Sequence, residues 1–144
     1  NQPIEVLCMA HKPDGLEVDE HSITIIRYDV GLSKFETRWG TFTDPWIHQP
    51  QPKCGFVIKG TEGTISNYDY AENVHIQDRD HPQGYDLPVM KLDFQNPIEY
   101  FTHCIHNNQP VEGPLSLEVS RMGQLLVDAA CQSAQEKKAV RLDL

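Results

Sequence analysis

The pattern of apolar residues changes once along the chain, and this change constrains the fold more than any other feature. Up to about Phe94 the apolar residues fall in short, β-branched runs separated by turn residues, which predicts strands. From Asn96 onward they recur at three- and four-residue steps, which predicts helices. Six or seven strands without a helical spacer favour a mainly antiparallel sheet, and the helices that follow predict an α+β domain.

The strands are separated by residues that favour turns. Lys12-Pro13-Asp14-Gly15 and the segment around Gly31 each predict a connection between strands, and Gly60 and Gly63 supply the positive φ angles that a tight hairpin often needs. The prolines of DPWIHQPQPK predict a loop. We expect strands at Ile4–Met9, Ser22–Val30, Lys34–Phe42, on both sides of Gly60–Gly63, and at Tyr85–Phe94.

The third of these strands has two different faces. Strict alternation places Phe35, Thr37 and Trp39 on one side and Glu36 and Arg38 on the other. With the turn around Gly31, this pattern predicts a hairpin.

The first helix is predicted from its N-terminus. Asn96 can cap it, with Pro97 at the first helical position and Glu99 three residues after the cap. Its apolar face is expected to consist of Ile98, Phe101 and Ile105.

The second helix is expected from about Leu115 to Glu136, before a last strand at Ala139–Leu142. Small side chains at Ala129, Ala130 and Ser133 would let this helix lie close to a sheet. Two helices can cover one sheet face, so the other face is expected to be open and to need another surface, either a second domain or a symmetry mate.

Composition limits the function. With 144 residues the chain can bury one core, so a single domain at 1–144 is expected. No apolar run is long enough to span a membrane. The formal charge of −9 and the lack of a Lys/Arg cluster argue against nucleic acid. Four widely spaced cysteines favour reduced, mostly buried thiols and a cytoplasmic location.

Two histidine-containing stretches suggest metal or acid–base chemistry. His103, Cys104 and His106 lie together on the first predicted helix, but the helix offers no further ligand at the right phase. The stretch from His75 to His81 combines imidazoles with carboxylates and is interpreted as a solvated loop. The sequence contains no G-x-G-x-x-G, P-loop, G-x-S-x-G or H-E-x-x-H motif. No catalytic, cofactor-binding or metal-binding residue is therefore predicted.

Three segments carry a resemblance to a known family. GTEGTIS, PIEYFTHCI and LLVDAACQSAQEKKAVRL resemble the C-terminal half of the glucose-fructose oxidoreductase, inositol dehydrogenase and rhizopine-catabolism oxidoreductases. In the last segment Asp128-Ala129, Ser133-Ala134 and Val140 match, whereas Lys137-Lys138 stands where the family often has glycine. The resemblance covers nearly the whole chain in diffuse motifs.

The resemblance implies a larger parent enzyme. Family members bind NAD or NADP in an N-terminal domain, which also carries a catalytic lysine in a Glu-Lys-Pro segment and an Asp/His pair on a helix. Lys12-Pro13 does not correspond to that lysine, because His11 stands in place of the glutamate. We therefore expect this chain to be a C-terminal piece that is inactive alone and binds no cofactor.

The resemblance also implies a role for this piece, which is to complete a sugar or cyclic-polyol pocket and pair with another subunit through the open sheet face. Polar and aromatic groups suit a hydroxyl-rich ligand. The candidate substrate contacts are Arg38, Trp39, Thr43, Trp46 and His48, although the tryptophans could instead be core or interface anchors. Two other hypotheses stay open: a self-contained, non-enzymatic binding or structural module, and a histidine metal site.

Overall fold

The computed structural model describes residues 2–38, 54–90, 93–94 and 96–143. The chain divides into two compact units, one formed by Asn1–Thr41 with Asn96–Leu144 and the other by Phe42–Gln95. Each unit contains one four-stranded antiparallel sheet, and both helices belong to the first unit. The α+β class, the antiparallel strands and the two main helices are confirmed, but the helix that packs on the sheet is the second one, at Leu117–Glu136, and not both helices as expected. Among the described residues, the strands form two four-stranded sheets where a single large sheet was expected.

The first sheet has the order β3-β2-β1-β8. Its strands are β1 at Pro3–His11, β2 at His21–Tyr28, β3 at Leu32–Arg38 and β8 at Val140–Arg141. The turn after β1 places Gly15 at a φ of 86°, and the turn after β2 places Gly31 at 101°. Only glycine adopts such angles readily, so both predicted turns are confirmed with their chemical reason.

Helix α2 spans Leu117–Glu136 and follows a short 3-10 turn at Gly113–Leu115. It begins two residues later than expected because Ser116 caps it, accepting a hydrogen bond from the backbone N–H of Val119 at 3.3 Å. The core of the unit is made of Val6 and Ile26 from the sheet and Ala129 from the helix. Leu126, Ala130, Val140 and Leu142 pack around these three residues.

Ser133 explains why α2 lies so close to β1. Its side chain is fully buried, its Oγ accepts the backbone N–H of Cys8 at 2.9 Å, and its hydroxyl donates to the carbonyl of Lys138 at 2.7 Å. A small hydroxyl thus joins the sheet, the helix and the helix C-terminus. The expectation that small residues allow close packing is confirmed.

Helix α1 spans Pro97–His106 and has the predicted cap. The Oδ1 of Asn96 accepts the backbone N–H of Glu99 at 3.0 Å, and the amide of Asn96 donates to the Glu99 carboxylate at 3.0 Å. The predicted apolar face is wrong as a buried surface, because Ile98 and Ile105 are more than three-quarters exposed. The buried residue of α1 is Cys104, whose thiol donates to the carbonyl of Pro110 at 3.7 Å.

The second sheet has the order β4-β5-β6-β7. Its strands are Gly55–Lys59, Gly63–Tyr68, Asn73–Asp78 and Tyr85–Pro88, respectively. Strand β7 is shorter than the predicted Tyr85–Phe94. No described residue of this unit is buried, although one face is largely apolar. That face carries Phe56, Ile58, Ile65, Val74, Ile76, Tyr85 and Leu87.

The glycines of the turn between β4 and β5 do not have the positive φ angles that were expected of them. Neither Gly60 nor Gly63 has a positive φ. Gly63 is needed for another reason, because a Cβ at this position would lie 2.6 Å from the backbone oxygen of Gln77 on β6. The hairpin is confirmed, and close approach of the neighbouring strand explains its second glycine.

Cysteine burial differs in part from the expectation. All four cysteines are free; Cys8 and Cys104 are buried, whereas Cys54 and Cys131 are exposed. Within the described part of the chain, neither helix is long and apolar enough to cross a membrane.

Candidate functional site

The candidate site is the face of the first sheet opposite α2, which we call the open face. Val6, Cys8 and Ile26 point toward α2, so strand alternation places their neighbours on the other side. The two central rows of the open face contain mostly apolar side chains. Leu7, Ile25 and Lys34 form one row across three strands, and Met9, Ile23 and Glu36 form the next.

The apolar centre is accessible. Leu7 is 42% exposed, Met9 76% and Ile25 38%. Contiguous apolar side chains on an uncovered sheet mark a surface that gains stability when another surface excludes water from it.

Charged rows border the apolar centre at both ends. At one end Arg27 pairs with Glu5 at 3.3 Å. At the other end His21 on β2 lies directly opposite both His11 on β1 and Arg38 on β3. An apolar centre with a polar rim is the usual anatomy of a protein interface.

Glu36 organises the charges around Arg38. Its carboxylate lies 3.2 Å from the Nζ of Lys34, 3.3 Å from the Nε2 of His21 and 3.8 Å from the Nε of Arg38. The hydrogen bond and positive charge of Lys34, followed by those of His21, lower the pKa of Glu36 below its usual range. Glu36 therefore stays ionised in mildly acidic solution and holds these cations together on one surface.

Arg38 occupies one corner of the open face. It is the last residue of the edge strand β3, and its side chain is 55% exposed. Its guanidinium can donate hydrogen bonds to hydroxyl, carboxylate or phosphate oxygens beyond the edge of the sheet. The predicted separation of Glu36 and Arg38 from Phe35 and Thr37 is confirmed by the strand register.

The other four candidates, Trp39, Thr43, Trp46 and His48, lie outside the described residues. Their assignment to the substrate stays a prediction.

The stretch from His75 to His81 is only partly a loop. His75–Asp78 belongs to β6, and the Nδ1 of His75 hydrogen-bonds to Oδ1 of Asp86 on β7 at 2.8 Å. His81 hydrogen-bonds through Nδ1 to Asp78 at 3.0 Å, and its backbone N–H donates to the same oxygen at 2.7 Å. These bonds, the backbone one first, lower the pKa of Asp78.

These imidazole–carboxylate pairs do not converge on one point. His75 and Asp86 share one face of the second sheet, whereas Asp78 lies on the opposite face by alternation. Within the ranges that the structure describes, no three His, Cys, Asp or Glu side chains are arranged to hold a metal ion. On α1, the Nδ1 of His103 lies 3.3 Å from the Asn107 amide nitrogen, which makes it part of the helix C-terminus.

The helix N-termini do not fit a dinucleotide. A pyrophosphate binds where free backbone N–H groups and the positive end of the helix dipole face it. The side chain of Asn96 occupies the first turn of α1, which also carries Glu99. Ser116 caps α2, and Glu118 lies in its first turn. These two described N-termini are thus already capped and carry a negative charge that repels phosphate.

Sequence reasoning missed His11 and His21 as members of the candidate surface. Each lies at the end of a strand and is unremarkable in the sequence by itself. The signal was the pairing register, because a turn closing at residues 12–20 places His11 opposite His21. Register depends on turn geometry, which the apolar pattern specifies poorly.

Comparisons with solved structures identify the fold. A structure described as "a putative oxidoreductase" from Klebsiella pneumoniae aligns with a TM-score of 0.68 over 99% of this chain, at 14% identity. Another described in the same words, from Bacteroides fragilis, aligns with a TM-score of 0.64 over 98%, at 15% identity. An NAD-binding protein from Listeria innocua aligns at 0.63 over 96%, at 20% identity.

The chain shares its fold with part of these proteins. It covers 44%, 46% and 41% of their respective lengths, so less than half of each is represented here. The resemblance to the oxidoreductase family is thus confirmed at the level of the fold. No family model and no curated protein matches the sequence.

Proposed function

We propose that this chain is the C-terminal domain of an NAD(P)-dependent oxidoreductase that acts on a sugar, a cyclic polyol or a related hydroxyl compound. The observation that carries the proposal is the match of almost the whole chain to less than half of two proteins described as oxidoreductases and one described as NAD-binding. In the intact protein, hydride would pass between a substrate carbon and the nicotinamide. The parent would act in the cytoplasm.

The domain itself would bind substrate, and the cofactor would bind elsewhere in the parent protein. The capped, acidic N-termini of α1 and α2 support this division, because neither offers a place for a pyrophosphate. The other domain would then determine whether the cofactor is NAD or NADP. This single chain is expected to have no oxidoreductase activity.

Arg38 is the described residue that we assign to the substrate. Its fixed fork of N–H donors suits the paired oxygens of a polyol or sugar acid, and the Glu36 carboxylate lies 3.8 Å from its Nε. Trp39, Thr43, Trp46 and His48 would add stacking and hydrogen bonds from the segment that follows.

The test uses the full-length protein and a panel of sugars and cyclic polyols, with NAD(P)H formation as the readout. On the best substrate, Arg38→Ala should lower kcat/KM at least about tenfold, the loss expected for a charged hydrogen bond of roughly 1.5–3 kcal/mol. Arg27→Ala, at the opposite end of the same face, is the matched control. Equal activity of the two variants would refute the role of Arg38, and activity on no member of the panel would refute the substrate class.

The open face would pair with a second copy of this chain. Its apolar centre of Leu7, Met9, Ile23 and Ile25 is bordered by charged side chains, which suits a symmetric contact between identical sheets. A specific contact should bury at least about 1,000 Å² in total.

Light scattering over a concentration series tests this pairing. The parent chain should give a mass above that of the monomer, and Met9→Arg should shift the population to monomer by placing a charge at the centre of the contact. Val30→Arg is the control, because Val30 is 76% exposed and lies in the turn after β2. A monomeric parent, or equal effects of the two substitutions, would refute the assigned face.

A further inference from the structure

Helix α1 presents an apolar face that the described part of the chain leaves uncovered. Ile98, Phe101 and Ile105 lie on one side of this helix and are 77%, 40% and 78% exposed. None of them belongs to the core of the first unit, which is built from the sheet and α2. A helix of ten residues is marginal in water unless its apolar face packs against another surface. This face therefore gains stability from a partner.

The segment after α1 holds it near the beginning of α2. The backbone N–H of Glu112 donates to the hydroxyl of Tyr100 at 2.9 Å, and the buried thiol of Cys104 donates to the carbonyl of Pro110. The 3-10 turn at Gly113–Leu115 then leads directly into α2. The position of α1 therefore follows from the position of the α2 N-terminus.

The N-terminal part of α2 extends past the start of β1. Ser133 accepts the backbone N–H of Cys8, whereas Leu125 lines a groove together with Leu142, whose backbone N–H donates to the second residue of β1. The helix thus runs in the same direction as β1, with Leu125 level with the beginning of that strand. Residues 117–124 precede Leu125 and extend roughly 12 Å further.

This extension is exposed like α1. Leu117 is 84% and Val119 50% exposed, whereas Leu126 and Ala129, one to two turns further along α2, pack in the core. We call α1 together with residues 117–124 the helical arm. In the proposed parent, the cofactor-binding domain joins this chain ahead of β1, so its point of attachment lies at the same end of the sheet as the helical arm.

The small size of the helical arm favours a partner on the same polypeptide. Its two pieces present less than about 300 Å² of flat surface, from their helical rise and diameter. A separate molecule needs about 800 Å² of accessible surface per partner for a specific contact. A covalently joined domain is held at a high effective concentration, so a smaller apolar contact is sufficient.

A domain on the helical arm can still reach the substrate side chain Arg38. Strand β3, from Leu32 to Arg38, spans only about 20 Å. This chain covers 44% of the Klebsiella pneumoniae protein, so the remainder of that protein is larger than this chain. A compact domain of that size is about 40 Å across. The nicotinamide can therefore approach Arg38 while the same domain contacts α1.

We propose that the helical arm is the docking surface for the cofactor-binding domain of the parent oxidoreductase, with Ile98, Phe101 and Ile105 buried in the contact. This inference rests on the proposed function. Water excluded from these side chains supplies the driving force, and the contact fixes the cofactor domain relative to the substrate-binding sheet.

Cysteine labelling of the full-length protein tests whether the face is covered. Ile98→Cys is compared with Val127→Cys, which lies at a 55% exposed position of α2 outside the helical arm. Each rate of maleimide labelling, measured by peptide mass spectrometry, is divided by the rate for the same variant in urea. On this scale Ile98→Cys should react at least about tenfold more slowly than Val127→Cys. NADH and NADPH titrations check that both variants remain folded.

Photocrosslinking identifies what covers the face. Phe101 is replaced by the photoreactive aromatic residue p-benzoylphenylalanine in the full-length protein, and the crosslinked peptides are sequenced by mass spectrometry. They should come from the cofactor-binding domain. Crosslinks confined to residues 1–144, from the same copy or from a second one, would assign the face to another occupant and overturn the inference.

The outcomes separate this inference from the proposed function. Full-length protein that binds NADH or NADPH but labels Ile98→Cys as fast as Val127→Cys refutes the docking surface and leaves the function intact. Full-length protein that binds neither cofactor refutes the proposed function, and the docking surface with it.

Discussion

Ser133→Ala tests the most specific packing feature of the first unit. The substitution removes a fully buried hydroxyl that accepts the backbone N–H of Cys8 and donates to the carbonyl of Lys138. Cys8 is buried, so its N–H would lose its partner out of reach of water, at a cost of about 1–3 kcal/mol. The higher helix propensity of alanine returns roughly 0.5 kcal/mol. We expect a net loss of about 1.5 kcal/mol in the free energy of unfolding.

A matched control isolates the buried hydrogen bond. Ser120→Ala makes the same chemical change at an exposed position of α2, so it reports helix propensity alone. The two variants should differ by about 1–3 kcal/mol in urea unfolding followed by circular dichroism, and the Cys8 amide should exchange faster in Ser133→Ala. A difference below about 0.5 kcal/mol would show that Ser133 does not join helix and sheet.

Three further predictions follow from α2 and the second sheet. Leu126→Asp should abolish folding, because it places a carboxylate against the core. The control Val127→Asp, at a 55% exposed position, should change the melting temperature little, and similar melting of the two variants would refute the assigned helix phase. Lys137→Gly should raise the free energy of unfolding, measured by urea denaturation, by about 0.5–1 kcal/mol, because the α2 C-cap has a left-handed φ of 55° that favours glycine. A destabilised variant would contradict this reasoning. Because the pKa of Asp78 is lowered in the folded chain, its bonds to His81 stabilise the fold above the ordinary aspartate pKa. This stabilisation is lost as the pH falls through the lower pKa of the folded state. NMR titration should find the Asp78 pKa below 3.8, and a higher value would contradict the geometry.

The sequence predicted local structure best at positions where the backbone conformation requires a particular type of residue. The Asn96 cap, the turns at Gly15 and Gly31 and the small face of α2 all formed as expected. Lys137 is informative as well, because the family resemblance expects glycine there and the backbone adopts the conformation that favours glycine.

Sequence reasoning failed where the answer depends on which segments meet. Periodicity places Ile98, Phe101 and Ile105 on one side of α1 but does not determine what covers them, and they are exposed. Strand β6 was missed because polar residues such as His75 interrupt its apolar alternation, and its pairing with β5 and β7 defines it. Strand count likewise does not determine where a hydrogen-bonded ladder ends; one large sheet was expected, and the described strands form two.

The residues of the candidate site also divide into those that one strand predicts and those that depend on strand pairing. Arg38 and its face could be predicted from alternation within β3, whereas its neighbours His11 and His21 required the register of β1 with β2 and β2 with β3. Alternation is a property of one strand, and register is a property of two.

The central claim is that this chain supplies substrate binding and subunit pairing, while the nicotinamide cofactor binds elsewhere in the parent. Calorimetric titration of NADH and NADPH into this chain and into the full-length protein tests it most directly. The full-length protein should bind one of them, and this chain should bind neither more tightly than about 100 µM, or roughly −5.5 kcal/mol. Tighter binding by this chain alone, or no binding by the full-length protein, would contradict the account.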